Sequence, residues 1–171
     1  ERHSLPLKDN QEFVYPVLIN LLNYVQNNAH KRVVITSGYR CPTHNTYVDP
    51  TARNSTSKHM LGAAVAFYVQ GLEQQPEKVV QMILDYYQKT AKYAGQKDFQ
   101  EFTRHQDKTS DTTTPAWMNK EIYVKLYKKN EGRDSDNPHT YPYIELQVRY
   151  DWDTQEKVTY SYDKANRNFL R

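Results

Sequence analysis

The first feature of this sequence that could do chemistry is a histidine with a glycine three residues after it, His59 and Gly62. His59 precedes a run of small and apolar residues, 62–69, that predicts a buried strand. Gly62 permits a sharp bend, so a strand side chain seven residues after His59 could converge on the imidazole. Such an imidazole is a candidate metal ligand, and the alternative is an ordinary loop histidine. The converging position holds Ala66, whose methyl group has no donor atom.

An arginine at the predicted end of another strand could bind a carboxylate. The β-branched run KRVVIT predicts a buried strand, and Ser37, Tyr39 and Arg40 lie in the segment after it, with Asn45 close behind. The guanidinium fork matches the geometry of a carboxylate. The alternative for Arg40 is a surface salt bridge. Ser37 and Tyr39 could equally be turn and packing residues, and Asn45 could cap a loop.

Taken in order, the two segments resemble the family of zinc D-Ala-D-Ala carboxypeptidases and L-alanyl-D-glutamate endopeptidases, whose fold is shared with the hedgehog signalling domain. The family pattern is a strand ending in S-G-Y/F-R, an Asn, and then S-x-H-x-x-G-x-A-x-D. The resemblance covers residues 11–70 well and the final strands loosely. It implies a zinc ligand at His59. It further implies that the substrate is held by residues at Arg40, Ser37, Tyr39, Asn45 and Ser57.

The chain departs from the family at the other metal-ligand positions. Ala66 stands where the family has its aspartate ligand. The segment 141–148 resembles the late family motif, and there Glu145 takes the position of the third ligand, a histidine, while Gln147 takes that of a carboxylate. His139 is a rival candidate for the third ligand, although it follows Asn-Pro and is typical of an exposed turn.

These departures predict weak or absent zinc binding and impaired catalysis. An amide such as Gln147 cannot act as a general base, and Glu145 could be ligand or base but hardly both. Incomplete ligation would not fix the geometry that acidifies a zinc-bound water. Three hypotheses stay open. The chain is a cell-wall peptidase domain with natural or engineered losses, a peptide-binding pseudoenzyme, or a structural or redesigned domain that keeps only the fold.

Composition bounds the class of protein. The chain has 171 residues, 37% hydrophobic and 25% charged, which suits one globular domain. Its net charge of +3 comes from interspersed signs and predicts no nucleic-acid binding. No apolar run is long enough to predict a membrane span. The single cysteine, Cys41, predicts a packed thiol, and His30 is expected to complement a helix dipole.

Periodicity predicts an α+β fold in which helices pack on a small, mainly antiparallel sheet. We predict one domain over 1–171, with 1–9 as a lead-in strap and 96–119 as a mobile insertion. The predicted helices are 10–28 and 76–93. The predicted strands are 31–36, 62–69, 121–127, 143–150 and 157–162, with a hairpin turn at 151–154 and a loop at 41–58.

The resemblance also implies a partner and a location. The expected ligand is a peptidoglycan stem peptide or a D-Ala-D-Ala terminus, and the expected cofactor of the family is zinc. Such a ligand places the protein in the periplasm or at the cell surface. A monomer is favoured, since nothing in the sequence specifies an oligomer.

Overall fold

The computed structural model of the chain describes residues 7–8, 11–51, 56–108, 111–132 and 134–166. The helices are α1 Pro16–Ala29, α2 Pro42–Val48, α3 Pro76–Lys89, α4 Lys97–Gln100 and α5 Tyr162–Asn166. Short 3₁₀ turns cover Lys58–Leu61 and Ala91–Tyr93. The strands are β1 Leu7–Lys8, β2 Gln11–Glu12, β3 Val33–Ser37, β4 Ala64–Val69, β5 Thr103–His105, β6 Ala116–Met118, β7 Ile122–Tyr127, β8 Tyr143–Val148, β9 Tyr150–Asp151 and β10 Glu156–Lys157.

One antiparallel sheet of six strands organises the molecule, in the order β3-β4-β8-β7-β6-β5. The pairs β1-β2 and β9-β10 form two small separate ladders. Helices and antiparallel strands therefore combine as the sequence predicts, and the α+β class is confirmed. Helix α3 begins at Pro76. Proline suits this position because the N–H groups of the first helical turn have no partner within the helix, so its missing N–H costs no hydrogen bond.

The main core lies between the sheet and two helices. Alternate side chains of β4, β7 and β8 point to this face, and α1 and α3 cover it. Side chains with no exposed surface include Leu21 and Val25 of α1, Ile83 and Tyr87 of α3, and Phe67 and Leu146 of the sheet. The opposite face of the same strands carries the predicted ligand positions.

The structure corrects two predicted segments. Residues 41–58 are not all loop, because α2 forms there, with Pro42 in its first turn and the Cys41 thiol accepting a hydrogen bond from the His44 amide at 3.4 Å. A strand over 157–162 is wrong, since β10 ends at Lys157 and α5 begins at Tyr162. The first turn of α5 leads to Ala165, which is fully buried, so packing prevails over the local period-two pattern.

The predicted start of the first helix is also too early. The chain becomes helical at Pro16, and residues 11–12 belong to β2 instead. Residues 96–119, for which we predict a mobile insertion, supply α4 and the strands β5 and β6 at one edge of the sheet. Of the predicted strap, only residues 7–8 are described, and they form β1.

Candidate functional site

A cleft opens on the sheet face that the helices leave uncovered. Its volume is about 1060 Å³, and its lining comes from β4, β7 and β8, the segments around α2 and the first 3₁₀ turn, and the loop before β8. His59, Ala66, Glu145, Gln147, Arg40 and Ser57 all line it. The fold thus brings six of the sequence-predicted site positions to one cavity.

His59 lies in the 3₁₀ turn that leads into β4. Its side chain is 6% exposed, and its backbone amide donates to the Ser57 hydroxyl at 3.2 Å. Its Nδ1 lies 2.7 Å from the carbonyl oxygen of Gly38, which can only accept, so Nδ1 carries the proton and Nε2 is left with a lone pair. Burial lowers the pKa of His59, while the charge of Glu145 partly opposes that shift. The imidazole is therefore held neutral.

Ala66 and Glu145 are cross-strand neighbours on the cleft face of the sheet. Ala66 pairs with Glu145 of β8 on one side and with Ser37 of β3 on the other. The methyl group is 2% exposed and packs against the rings of Tyr127 and Tyr143, which stack at 4.6 Å. The alanine methyl group thus contacts aromatic rings on the cleft face.

The carboxylate of Glu145 is bound by two neighbours. The Tyr127 hydroxyl donates to its Oε2 at 3.2 Å, and the Gln147 amide donates to its Oε1 at 2.5 Å. Burial first, and then the charge of Glu145, raise the pKa of Tyr127, so this phenol stays protonated and continues to donate. Gln147 acts here as a hydrogen-bond donor, a role open to an amide but not to a carboxylate.

Arg40 is bound by carboxylates of its own chain. Its side chain is 4% exposed and forms ion pairs of 2.9 Å with Asp134 and 3.2 Å with Asp136. The same guanidinium donates to the Ser37 hydroxyl at 2.7 and 3.0 Å. Sequence reasoning missed both aspartates, because they lie 94 and 96 residues from Arg40 and no local pattern marks them.

The sequence model of the peptidase M15 family matches residues 6–107, more than half of the chain. The chain belongs to the peptidase M15 family. No curated protein and no solved structure gives a significant match. The matched residues include the 3₁₀ turn with His59 and β4 with Ala66, so the M15 match covers two of the three predicted metal-ligand positions. It ends before β8, which carries Glu145.

The side chains of this M15 cleft do not fit the zinc that the family uses. Catalytic zinc takes three protein ligands and leaves one open position. Within the described part of the chain, no group of three or more His, Cys, Asp or Glu side chains could hold a metal ion. His59 and Glu145 offer two donors, Ala66 offers none, and Gln147 is bonded to Glu145.

The rival ligand His139 lies elsewhere. Its Nδ1 is 3.1 Å from the carbonyl oxygen of Tyr141, and its ring stacks on that of Tyr141 with centroids 4.1 Å apart. His139 is not among the described residues that line the cleft, and neither are Tyr39 and Asn45. Asn45 is buried inside α2, where its backbone amide donates to the Cys41 carbonyl at 2.9 Å.

Three cations that the sequence analysis did not single out also line the cleft. They are Lys58, Lys125 and Arg149. The Lys58 ammonium donates to the carbonyl oxygen of Val148. Burial, with a smaller contribution from the Arg149 charge, lowers the pKa of Lys58 to about 8. Lys58 could have been predicted as a site residue, because it directly precedes His59 in the sequence. Arg149 has no motif near it that would have indicated a place in the cleft.

None of the helices in the described residues has the length and apolar character needed to cross a membrane.

Proposed function

We propose that this chain is a peptide-binding domain derived from an M15 cell-wall peptidase, which binds stem peptides of peptidoglycan without hydrolysing them. The observation that carries the proposal is the pairing of Ala66 with Glu145 in the cleft. Where a catalytic zinc would need converging donors, the chain supplies a methyl group packed under two tyrosine rings.

The remaining polar groups support binding better than hydrolysis. Metal-assisted hydrolysis needs a base that takes a proton from the attacking water. Glu145 is the only carboxylate among the predicted site residues, and it already accepts hydrogen bonds from Tyr127 and Gln147. Neutral His59 donates through Nδ1 to the Gly38 carbonyl and could accept a hydrogen bond at Nε2. Such groups can orient a bound peptide without activating water.

The cleft suits an extended peptide. Its volume of about 1060 Å³ is at the upper end of the range for small-ligand sites, so several residues of a peptide could be accommodated. The family supplies the peptide class, and stem peptides of the cell wall are the ligand that the sequence resemblance implies. We accordingly propose that the protein acts in the periplasm or at the cell surface, where that ligand occurs.

The direct test separates binding from turnover with one ligand. A peptide that ends in D-Ala-D-Ala is titrated calorimetrically into the protein, and the same mixture is assayed for free D-alanine after long incubation. The proposal expects heat of binding and no D-alanine. Release of D-alanine above that of a heat-denatured sample would overturn the loss of hydrolysis, and absence of heat would overturn peptide binding in favour of a structural role.

Metal content gives a second, independent test. Protein purified without chelators is expected to contain less than stoichiometric zinc, because two donors hold the ion far more weakly than three. A stoichiometric transition metal in elemental analysis would contradict the proposal.

A further inference from the structure

The charged side chains that line the cleft are unevenly paired. Among the described residues, no ion pair includes Lys58, Lys125 or Arg149. Lys125 pairs in register with Glu145, so a carboxylate lies on the neighbouring strand at the same level. Among the described residues, no strand pairing places a carboxylate beside Lys58 or Arg149. The cleft therefore has a positive end, which we define by Lys58 and Arg149.

Both side chains of the positive end are fixed by backbone carbonyls. The Lys58 ammonium donates to Val148, the residue directly before Arg149, and an Nη of Arg149 donates to the carbonyl of Asn119. These contacts bring the two cations to the same end of β8. Carbonyl oxygens orient the cations but leave their charge uncompensated, so further donors stay available to an anion.

Partial burial makes an anion favourable at this point. Lys58 and Arg149 are both of intermediate exposure, and the charge of Arg149 contributes to lowering the pKa of Lys58. Two cations held close together with reduced access to water repel each other, and a bound carboxylate relieves that repulsion. Five carboxylates line the cleft, and among the described residues none of them forms an ion pair with Lys58 or Arg149. Asp134 is bound to Arg40 and Glu145 lies beside Lys125, and the other three are Asp49, Asp107 and Asp111.

Arg40 provides the contrast. The family resemblance implies that this arginine holds the substrate, yet its guanidinium is neutralised by Asp134 and Asp136. A substrate carboxylate would have to displace one of these aspartates. The positive end of the cleft needs no such displacement.

We infer that Lys58 and Arg149 form the subsite that binds a carboxylate of the peptide ligand, in place of Arg40. The inference rests on the proposed function and adds to it the residues that select an anionic peptide. The subsite is expected to bind a free carboxylate. Wild type should therefore bind the peptide acid more tightly than the same peptide with a C-terminal amide.

The test compares an acid with its amide. Wild type, Lys58→Met, Arg149→Gln and the double variant are titrated with a peptide ending in D-Ala-D-Ala and with its C-terminal amide. Loss of one charge-assisted hydrogen bond weakens binding of the acid by about tenfold, and the double variant by more. The affinity for the amide should not change. Added salt should weaken binding of the acid to wild type more than to the double variant.

Matched controls separate charge from folding. Lys89→Met on α3 and Arg32→Gln before β3 remove the same charges from exposed positions outside the cleft, and should leave both affinities unchanged. Lys58→Arg keeps the charge and should retain most of the affinity for the acid. Thermal unfolding of each variant checks that it is folded.

The possible outcomes distinguish the inference from the proposed function. If neither peptide binds wild type, the proposed function fails. If the acid binds equally well to wild type and to the folded double variant, the function stands and the inference fails. Acetate alone, titrated while the amide signals of residues 58 and 149 are followed by NMR, tests the subsite without a peptide, and no shift at these residues also overturns it.

Discussion

Strand β8 carries two kinds of side chain that alternate between the two faces of the sheet. Ile144, Leu146 and Val148 point to the helix-covered face and are at most 1% exposed. Glu145 and Gln147 point to the cleft and are partly exposed. The first set contributes to the main core, and the second contributes to a site. Because the two sets do not share a face, the site can lose its ligands while the core is unchanged.

The same contrast holds on β4. Val65, Phe67 and Val69 belong to the core beneath the helices, whereas Ala66 lies on the cleft side. Residues on the cleft face of β4 and β8 can therefore differ while the core face keeps the same fold.

The largest effect is expected on the helix-covered face. Leu146→Ala removes a fully buried side chain and leaves a cavity between the sheet and the helices. The free energy of unfolding should fall by about 2–5 kcal/mol. Urea denaturation measures this loss. A loss as small as that of a surface substitution would mean that the core does not depend on this face.

A second prediction tests whether the cleft face still has the geometry of a metal site. Ala66→Asp combined with Glu145→His would give three potential ligands together with His59. Zinc at 100 times its Kd should then stabilise the protein by about 2.7 kcal/mol, because only the folded state binds it. Thermal unfolding with and without zinc measures the shift.

The matched control moves the new aspartate along the same face. Ala64→Asp with Glu145→His places a carboxylate opposite Gln147 instead of opposite position 145. This pair should gain no zinc affinity. If the Ala66→Asp pair also gains none, position 145 is not the late ligand position of the family.

A third prediction concerns Glu121, a buried carboxylate at the helix-covered side of the sheet. Glu121 is 1% exposed, and the Tyr93 hydroxyl donates to its Oε2 at 2.5 Å. Burial raises the pKa of Glu121, and the hydrogen bond from Tyr93 opposes the shift without cancelling it. The folded state therefore holds its proton more firmly than the unfolded chain does.

The sign of the pH effect follows from that raised pKa. This contribution to stability is complete below the pKa of the unfolded carboxyl and is lost as pH rises through the folded pKa. Each pH unit by which folding raises the pKa of this carboxyl adds about 1.4 kcal/mol to the free energy of unfolding at low pH. Glu121→Gln should remove this fall in unfolding free energy, and Glu101→Gln, at an exposed position, should retain it. An unchanged pH profile in Glu121→Gln would contradict the assignment.

The smallest effect on stability is expected at Gln147, which is next to Leu146 in sequence but lies on the cleft face of the sheet. Gln147→Ala removes the hydrogen bond to Glu145 but leaves no buried cavity. The cost should be about 1 kcal/mol or less, the usual net value of one hydrogen bond. Urea denaturation under the conditions used for Leu146→Ala gives the comparison directly, and equal losses for the two variants would refute the distinction between the faces.

Periodicity was sufficient to predict much of the fold. The strands around Val65, Val124 and Leu146 and the helix from Pro76 follow from apolar spacing, because their buried faces are continuous. The helix at Pro42 could not be predicted in the same way, since it is short and has only two buried residues. The helix at Tyr162 depends on tertiary packing of Ala165, which a local pattern does not encode.

Site residues that lie within one short motif could be predicted from the sequence. Contacts between residues far apart in the sequence could not. His59, Gly62 and Ala66 lie within one short segment, so their relation can be read from spacing. The neutralisation of Arg40 depends on Asp134 and on a loop that reaches the arginine only in the folded chain. The same is true of the carbonyls that hold Lys58 and Arg149.

The glycine of the histidine motif has a function that does not depend on catalysis. Gly62 has a φ of +66°, and a Cβ there would lie 2.5 Å from the carbonyl oxygen of Phe13. The Gly62 carbonyl also accepts the Tyr15 amide at 3.0 Å, which joins the segment before α1 to the start of β4. Any other residue at this position would be both strained and obstructed. Architecture alone is thus reason enough for a glycine here, independently of any chemistry at His59.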